Sequence, residues 1–401
     1  FDNIIYPMLY FLLPELTFDI KSDNLKLEFV NKKENIYISK SVSKYLKILK
    51  KQIDIFIHNW DNMKKFTNPY EFIHTNIPHH SYSISKIKPV SRSFFKLIEI
   101  VNSFNLIDEK DPITSFHLAE GPGGFIEATA HLRKNPDDVY YGMTLIDKSN
   151  YNIPGWKKSE NFIKKYPNVK LIYGKTQDGN LYSEHNLEFC YKNFKNKIEF
   201  ITADGGFDFS IDYNDQENMA FRLILTQVIY ALTMQKKNGS FVIKIYDIFL
   251  KSTVQIIYLL CCFYRNVYIS KPNTSRYANS EKYIICSNFK FDNINMLYEK
   301  FYNILKVLNG IDFDIYSINS ILDIPMQLYS NFQIEEINAI LGQQQIDNIY
   351  YTIKLICNKE NKKEKIDNIK LQNIQKCIHW CNTNNIPHNN FNDNTNIFLN
   401  K

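Results

Sequence analysis

The chain has 401 residues, 44% of them hydrophobic, and a formal net charge of +6. That is enough for one large α/β domain with an appended one, and the mild positive charge admits a polyanionic partner without demanding it. Seven cysteines, an odd number spread from Cys190 to Cys381, lack the dense even spacing of a secreted disulfide framework and predict a reducing compartment.

The apolar opening, residues 1–20, is cut by Pro7 and Pro14 and lacks a basic flank, and the run 254–263 is too short to span a bilayer, so no membrane association is expected. Residues 1–60 read as an N-terminal extension. Within it KYLKILKKQIDIFIHNW (44–60) predicts an amphipathic helix whose Lys44, Lys47, Lys50 and Lys51 leave one face positive, for which a solvated surface is the simpler reading. From 61 to 290 short β-branched or aromatic runs alternate with helical stretches. ITSFHLA (113–119), DVYYGMTL (138–145), NVKLIYG (168–174), IEFITAD (198–204), GSFVIKIY (239–246), NVYISKP (266–272) and KYIICSNF (282–289) predict strands. Helices are expected over 125–134, 216–237 and 253–264, and this alternation argues for a largely parallel α/β sheet with helices on both faces. From 291 to 401 strand signals fade and helical segments such as 295–309 and 333–344 take over. The charged run 358–368 reads as an exposed linker, and the Asn-rich tail from Asn382 as poorly ordered. KCIHWC (376–381) has no second ligand pair at zinc-finger spacing, so no metal is expected.

The chemistry starts at FHLAEGPGGFIEATAHL (116–132), where a strand runs into Gly121, Pro122, Gly123 and Gly124 and a helix follows at once. Glycines there let the backbone approach a ligand. The spacing is not G-x-G-x-x-G, which disfavours a dinucleotide, and Glu120 just before the turn suits a cationic ligand such as S-adenosylmethionine. A purely structural turn stays open on these residues alone. Asp204 ends a strand before Gly205 and Gly206, at a carboxyl end where open α/β sheets bind ligands. Lys244 lies inside the apolar strand VIKI, where a lysine is costly unless paired or functional. Taken singly, Lys96 passes for an exposed helix lysine, Asp204 for a turn former and Glu281 for a solvated strand end.

In order, though, Lys96, the glycine turn, Asp204, Lys244 and Glu281, together with TNPYEFI (67–73), QEN (216–218) and KPNTSRYANSEKYIIC (271–286), resemble the FtsJ/RrmJ-like ribose 2'-O-methyltransferases. Within that family the likeness is greatest to the mRNA cap enzymes of the eukaryotic cap1 type and their large-DNA-virus relatives. The resemblance covers about residues 64–290. It implies a Rossmann-like methyltransferase sheet, S-adenosylmethionine as cofactor and 5'-capped mRNA as substrate, methylated on the first transcribed nucleotide with Lys244 as general base of a K-D-K-E tetrad. It further implies cofactor contacts from Ser91, Ala119, Glu120, Gly121, Pro122, Gly123, Gly124, Phe125, Asn180, Leu181 and Asp204. Ser91 stands where the cap enzymes have Asn, and Asn180 where they have Asp. Lys64, Glu217, Asn218, Met219, Ala220 and Asn279 fall at substrate positions, with Tyr70 a further candidate beside the cap base. Other capping enzymes or RNA polymerase are the partners such an enzyme would meet, in a nucleus, a virion or a cytoplasmic viral replication site. A ribosomal or transfer RNA ribose methyltransferase and a catalytically silent RNA-binding subunit are the alternatives.

Overall fold

The computed structural model describes residues 8–31, 36–107, 111–147, 149–150, 153–206, 215–358 and 362–391, and structural statements concern these. Two strands, β1 (Leu9–Leu13) and β2 (Leu25–Asn31), open the chain, followed by α1 (Lys40–Ile55), α2 (Ile57–Thr67) and α3 (Ser93–Phe104). The alternating stretch is β3 (Thr114–Leu118), α4 (Gly124–Arg133), β4 (Val139–Met143), α5 (Glu160–Lys165), β5 (Val169–Ile172), α6 (Glu184–Phe194) and β6 (Ile198–Ala203). It continues with α7 (Gln216–Met234), β7 (Gln235–Ile245), α8 (Lys251–Phe263), β8 (Tyr264–Lys271) and β9 (Lys282–Phe289). Then come α9 (Asn295–Asn309), β10 (Tyr316–Leu322), α10 (Leu328–Cys357) and α11 (Lys362–Thr383).

Eight strands form one sheet in the order β1-β8-β9-β7-β6-β3-β4-β5. From β5 to β7 the neighbours run parallel, whereas β9 is antiparallel to both β7 and β8. Because β9 runs backwards, its first residues lie beside the last residues of β7, with Lys244 opposite Tyr283 and Ile245 opposite Lys282. Alternation along each strand separates two cores. Ile201, Ala203, Ile243 and Ile245 pack with α6, α7 and α8 on one face, and Phe200, Val242, Tyr283 and Ile285 pack with α3 and α4 on the other.

Several expectations change. The helix expected to run to Lys237 stops at Met234, because Gln235 already opens β7 and its side-chain amide donates to the Ile198 carbonyl across the sheet at 2.8 Å. The region beyond 290 does contain a strand, β10, whose partner is β2 far back in the chain. The expected linker 358–368 is helical from Lys362 onward, with residues 359–361 outside the described set. Of the tail, residues 382–391 pack against the body: Asn384 and Ile386 are buried and His388 bridges to Ser85. Residues 392–401 lie outside the described set.

The N-terminal segment is built into the same body. β1 pairs along β8 at the sheet edge. α10 crosses α1 at Gly342, where an added Cβ would lie 2.6 Å from Val42 Cγ1, so the helices touch backbone to side chain. No helix among the described residues is long and apolar enough to cross a membrane.

Candidate active site

The strand alternation that builds the α3-side core also aims chemistry at one edge. Asp204 continues the parity of Phe200, Lys244 that of Val242, and Glu281 that of Tyr283 and Ile285, so all three face α3 at the carboxyl ends of β6 and β7. Lys96 comes down from the first turn of α3 onto this edge. The structure therefore brings the four residues together. Lys96 Nζ lies 2.6 Å from Glu281 Oε1, and Lys244 Nζ lies 3.2 Å from Asp204 Oδ1 and donates to the Asp204 carbonyl at 2.8 Å. The Tyr283 hydroxyl donates to Asp204 Oδ1 at 3.0 Å and the Ser275 hydroxyl to Glu281 Oε1 at 2.8 Å.

The electrostatics differ between the two lysines. Burial pulls the Lys96 ammonium below the usual lysine range against the pull of Glu281, and Arg92 adds to the lowering. For Lys244 burial acts downward too, but Asp204, Tyr246 and Glu281 together outweigh it and hold the ammonium above its ordinary value. Burial would raise Glu281, yet Lys96, Lys244 and Arg92 hold it well below the usual carboxylate range.

The glycine turn sits alongside. Gly123 holds φ at +112°, a conformation that side chains rarely adopt. Gly124 lies against α3, where an added Cβ would come within 2.0 Å of Ser93 Oγ and 3.0 Å of Ser91 Cβ. Ser91 accepts from the Ser93 amide at 3.3 Å, and through Ser91 and Ser93 the start of α3, which carries Lys96, packs directly on the turn. Gly124→Ala wedges α3 from α4, and a lowered melting temperature by calorimetry is the expected result, worth about 1–3 kcal/mol. Glu120 Oε1 accepts the Phe125 and Ile126 amides at 2.7 and 2.8 Å, capping α4 from within. Burial, with the Asp204 charge adding to it, pushes the Glu120 carboxyl up to about 8.

The remaining expected positions divide. Ala119 takes a left-handed conformation at the end of β3, and an added Cβ at Gly205 would lie 2.8 Å from its methyl, so the two loops touch. The Asn180 turn joins them through Thr144: a Cβ at Gly121 would lie 2.9 Å from Thr144 Oγ1, and one at Gly179 would collide with the Thr144 carbonyl. Asn180 Oδ1 accepts the Tyr182 amide at 3.0 Å, and Leu181 is buried. Pro122 accepts at its carbonyl from Ser159 at 2.5 Å. Phe125 is turned away into the α3-side core, its ring centroid 6.1 Å from that of Tyr283.

Of the expected substrate residues, Lys64 pairs with Asp61 on α2, and Met219 is 38% exposed. Asn279 holds Lys271 Nζ through its carbonyl at 2.8 Å and its side-chain oxygen at 2.9 Å. Three of the expected positions lie in the interior. The Glu217 carboxylate is buried and accepts the Phe249 and Leu250 amides at 2.9 Å, capping α8, while Ala220 is packed in the core. Tyr70 is buried as well.

Sequence reasoning passed over Arg92, Tyr283, Ser275, Glu71 and Arg276. Tyr283 was legible, two residues beyond Glu281 on the same strand face, and Arg92 stands one helical turn before Lys96; Ser275 had no signal. Arg92 Nη1 is buried without a hydrogen-bond partner among the described residues. Glu71 accepts from Arg276 Nη2 and Nε at 2.5 and 3.0 Å, tying the 271–281 loop to residue 71. Burial alone would raise Glu71, but Arg276 brings it down to about 2. A depressed carboxyl stabilises the fold above pH ~4.5 and loses that contribution as pH falls towards 2. Glu71→Gln is expected to cost about 3 kcal/mol at neutral pH and to flatten acid unfolding between those values, as read by urea titrations across pH.

Residues 89–289 match the family model of FtsJ-like methyltransferases. The chain is 29% identical over 218 residues to cap-specific mRNA (nucleoside-2'-O-)-methyltransferase 2 of Drosophila melanogaster, across 52% of this chain and 31% of that protein. It is 34% identical over 180 residues to cap-specific mRNA (nucleoside-2'-O-)-methyltransferase 1 of the same organism, across 44% and 22%. To the Homo sapiens methyltransferase 1 it is 33% identical over 180 residues, across 43% and 21%. The chain thus covers less than a third of the length of each of these relatives. The family match takes in half of the chain, from just before α3 to the end of β9, and with it the whole edge where the two lysines and two carboxylates meet: the protein belongs to the FtsJ-like methyltransferases.

Proposed function

We propose that the protein methylates the ribose 2'-OH of the first transcribed nucleotide of 5'-capped mRNA, using S-adenosylmethionine. The observation that carries this reading is the meeting of Lys96, Asp204, Lys244 and Glu281 beside the glycine turn. The cap-specific names of the relatives support the substrate class.

The residues present suit the cofactor. Burial and the neighbouring Asp204 charge raise the cost of ionising Glu120 next to the turn, a strain that a cationic ligand relieves and a pyrophosphate worsens. The Ala119–Gly124 turn, Asn180 and Leu181 would hold it, with Leu181 offering apolar surface to a purine. When bound, the cofactor supplies a methyl group on a sulfonium. The chain's own task is to place the hydroxyl in line and take its proton. Lys244 Nζ is the acceptor, once its resting proton has left; Asp204 and Tyr283 fix its direction, and Lys96 with Glu281 borders the ribose. Arg92, with a buried and unpartnered Nη1, is placed to hold a neighbouring phosphate oxygen.

Cofactor binding should depend on pH. With Glu120 at about 8, a cation bound below that value expels a proton, so affinity rises from pH 6 to 8 and then levels. Titration calorimetry in buffers of different ionisation enthalpy reads the proton release, and Glu120→Gln abolishes it. The reading itself is tested by labelled methyl transfer to capped RNA whose first 2'-OH is free or already methylated. Transfer to the free form alone is expected. Transfer to both, or to uncapped ribosomal or transfer RNA, moves the target elsewhere, and cofactor and cap binding without transfer leaves a silent subunit.

A further inference from the structure

The lysines of α1 separate into two groups. Lys40, Lys44, Lys47 and Lys51 recur at spacings of four, three and four, which puts them on one helix face in steps of about 5 to 6 Å. Lys40, Lys44 and Lys51 are exposed and Lys47 is half-buried. Lys50 leaves that row: its ammonium is buried 3.1 Å from Asp247 Oδ2, and Asp247 Oδ1 lies 3.4 Å from Lys282. This chain of charges bolts α1 to the catalytic edge, because Asp247 is three residues past Lys244 and Lys282 adjoins Glu281.

The row lines a groove of about 210 Å³ together with Ile36, Ser43 and Ile48. Ile36, Ser43 and Lys47 are shared with a second, deeper pocket that reaches Asn218, Asp215, Asp247 and Lys251. Of the acids there, Asp247 is paired with two lysines, Glu217 caps α8 and Asp215 stands at the start of α7, and α1 itself carries a single acid, Asp54, beyond the end of the row. Tyr45 and Ile48, 54% and 51% exposed, flank the lysines. The helix lies outside the matched family region, residues 89–289.

We propose that this groove is the track for the phosphate backbone of the RNA body, leading away from the reacting ribose along α1. The inference rests on RNA being the substrate. A row of lysines on a rigid helix neutralises successive phosphates without reading sequence, and an exposed aromatic beside it offers a base a stacking surface. Through the shared Ile36, Ser43 and Lys47 the groove adjoins the pocket that reaches Asn218 and Asp247, three residues past Lys244, a direction toward the reacting ribose that an acidic peptide docking site would not require.

The test is binding of an uncapped single-stranded 15-mer RNA and of a cap dinucleotide, at several salt concentrations. The variants are Lys40→Ala/Lys44→Ala/Lys51→Ala and a control with the same charge loss, Lys192→Ala/Lys195→Ala/Lys237→Ala, at the opposite sheet edge. The α1 variant should bind the 15-mer roughly tenfold more weakly at moderate salt, with a logarithmic salt slope reduced by about 2, three contacts at about 0.7 each. The control should leave the slope intact, and the cap dinucleotide should bind all forms alike. An unchanged slope in the α1 variant, or an equal loss in the control, overturns the groove. Failure of methyl transfer to capped RNA with lysine-dependent binding of the 15-mer intact overturns the cap reading instead and leaves the groove standing.

Discussion

Lys244→Met is expected to lower methyl transfer to capped RNA by at least about 10³-fold while S-adenosylmethionine binds within a few-fold of wild type. Positioned proton transfer contributes about 10² to 10⁴ to a rate, and Lys244 Nζ, held between Asp204 Oδ1 at 3.2 Å and the Asp204 carbonyl at 2.8 Å, is the amine aimed at the open edge. Its charge state sharpens the prediction. Asp204, Tyr246 and Glu281 outweigh burial and keep the resting amine protonated, so the reactive form is a minority at neutral pH. The wild-type rate should therefore climb with pH by about one logarithmic unit per pH unit. The Met variant's residual rate should be flat. Lys244→Arg separates two roles, since a guanidinium keeps the ion pair but does not give up its proton. A dead Arg variant identifies a base; substantial activity with Arg would show that the position supplies only positive charge.

How far the site was legible follows from which interactions are local. Lys244 stood out because a lysine inside an apolar strand breaks the binary pattern; Asp204 and Glu281 passed singly for a turn former and a solvated strand end, and only the order of the motifs singled them out. The glycine turn was legible as punctuation between a strand and a helix. Lys96 breaks no local rule as a lysine at the start of an amphipathic helix; the order of the motifs pointed to it, and its 2.6 Å contact with a residue 185 positions later is what no local pattern encodes. The burial of Glu217 and Ala220 was not legible either. An acidic residue in the first turn of α7 has the look of a surface group, yet it caps a different helix, α8, whose position no local pattern encodes. β10 escaped notice because its partner β2 lies nearly 300 residues earlier and neither strand belongs to the alternating stretch. Basic residues in 44–60 formed a visible patch, but only the buried Lys50–Asp247 contact shows which of them point away from the solvent row.

The buried pair opposite Lys244 makes the second large prediction, and here stability and activity come apart. Lys96 and Glu281 side chains are 5% and 11% exposed, and the carboxylate is stabilised by Lys96, Lys244 and Arg92 against burial. Lys96→Met leaves that carboxylate with its nearest cation gone. Breaking one side of a buried pair typically costs about 3 to 5 kcal/mol, which should lower the melting temperature by roughly 4 to 6 °C in a chain of this length. Because Glu281 is depressed in the wild type, its contribution is present above the unfolded value near 4.5 and fades as pH falls below it. In the Met variant the carboxyl moves up and the acid limb of the stability profile should shift upward with it. Lys96→Met/Glu281→Gln removes the orphaned charge while keeping the shape and the Ser275 hydrogen bond, so most of the melting temperature should return. Activity should not, since the ammonium bordering the ribose is still missing. If the single variant melts like wild type, the pair is not the buried anchor its geometry indicates. If the double variant turns over substrate, Lys96 serves only to neutralise Glu281, and the chemistry rests on Asp204 and Lys244 alone.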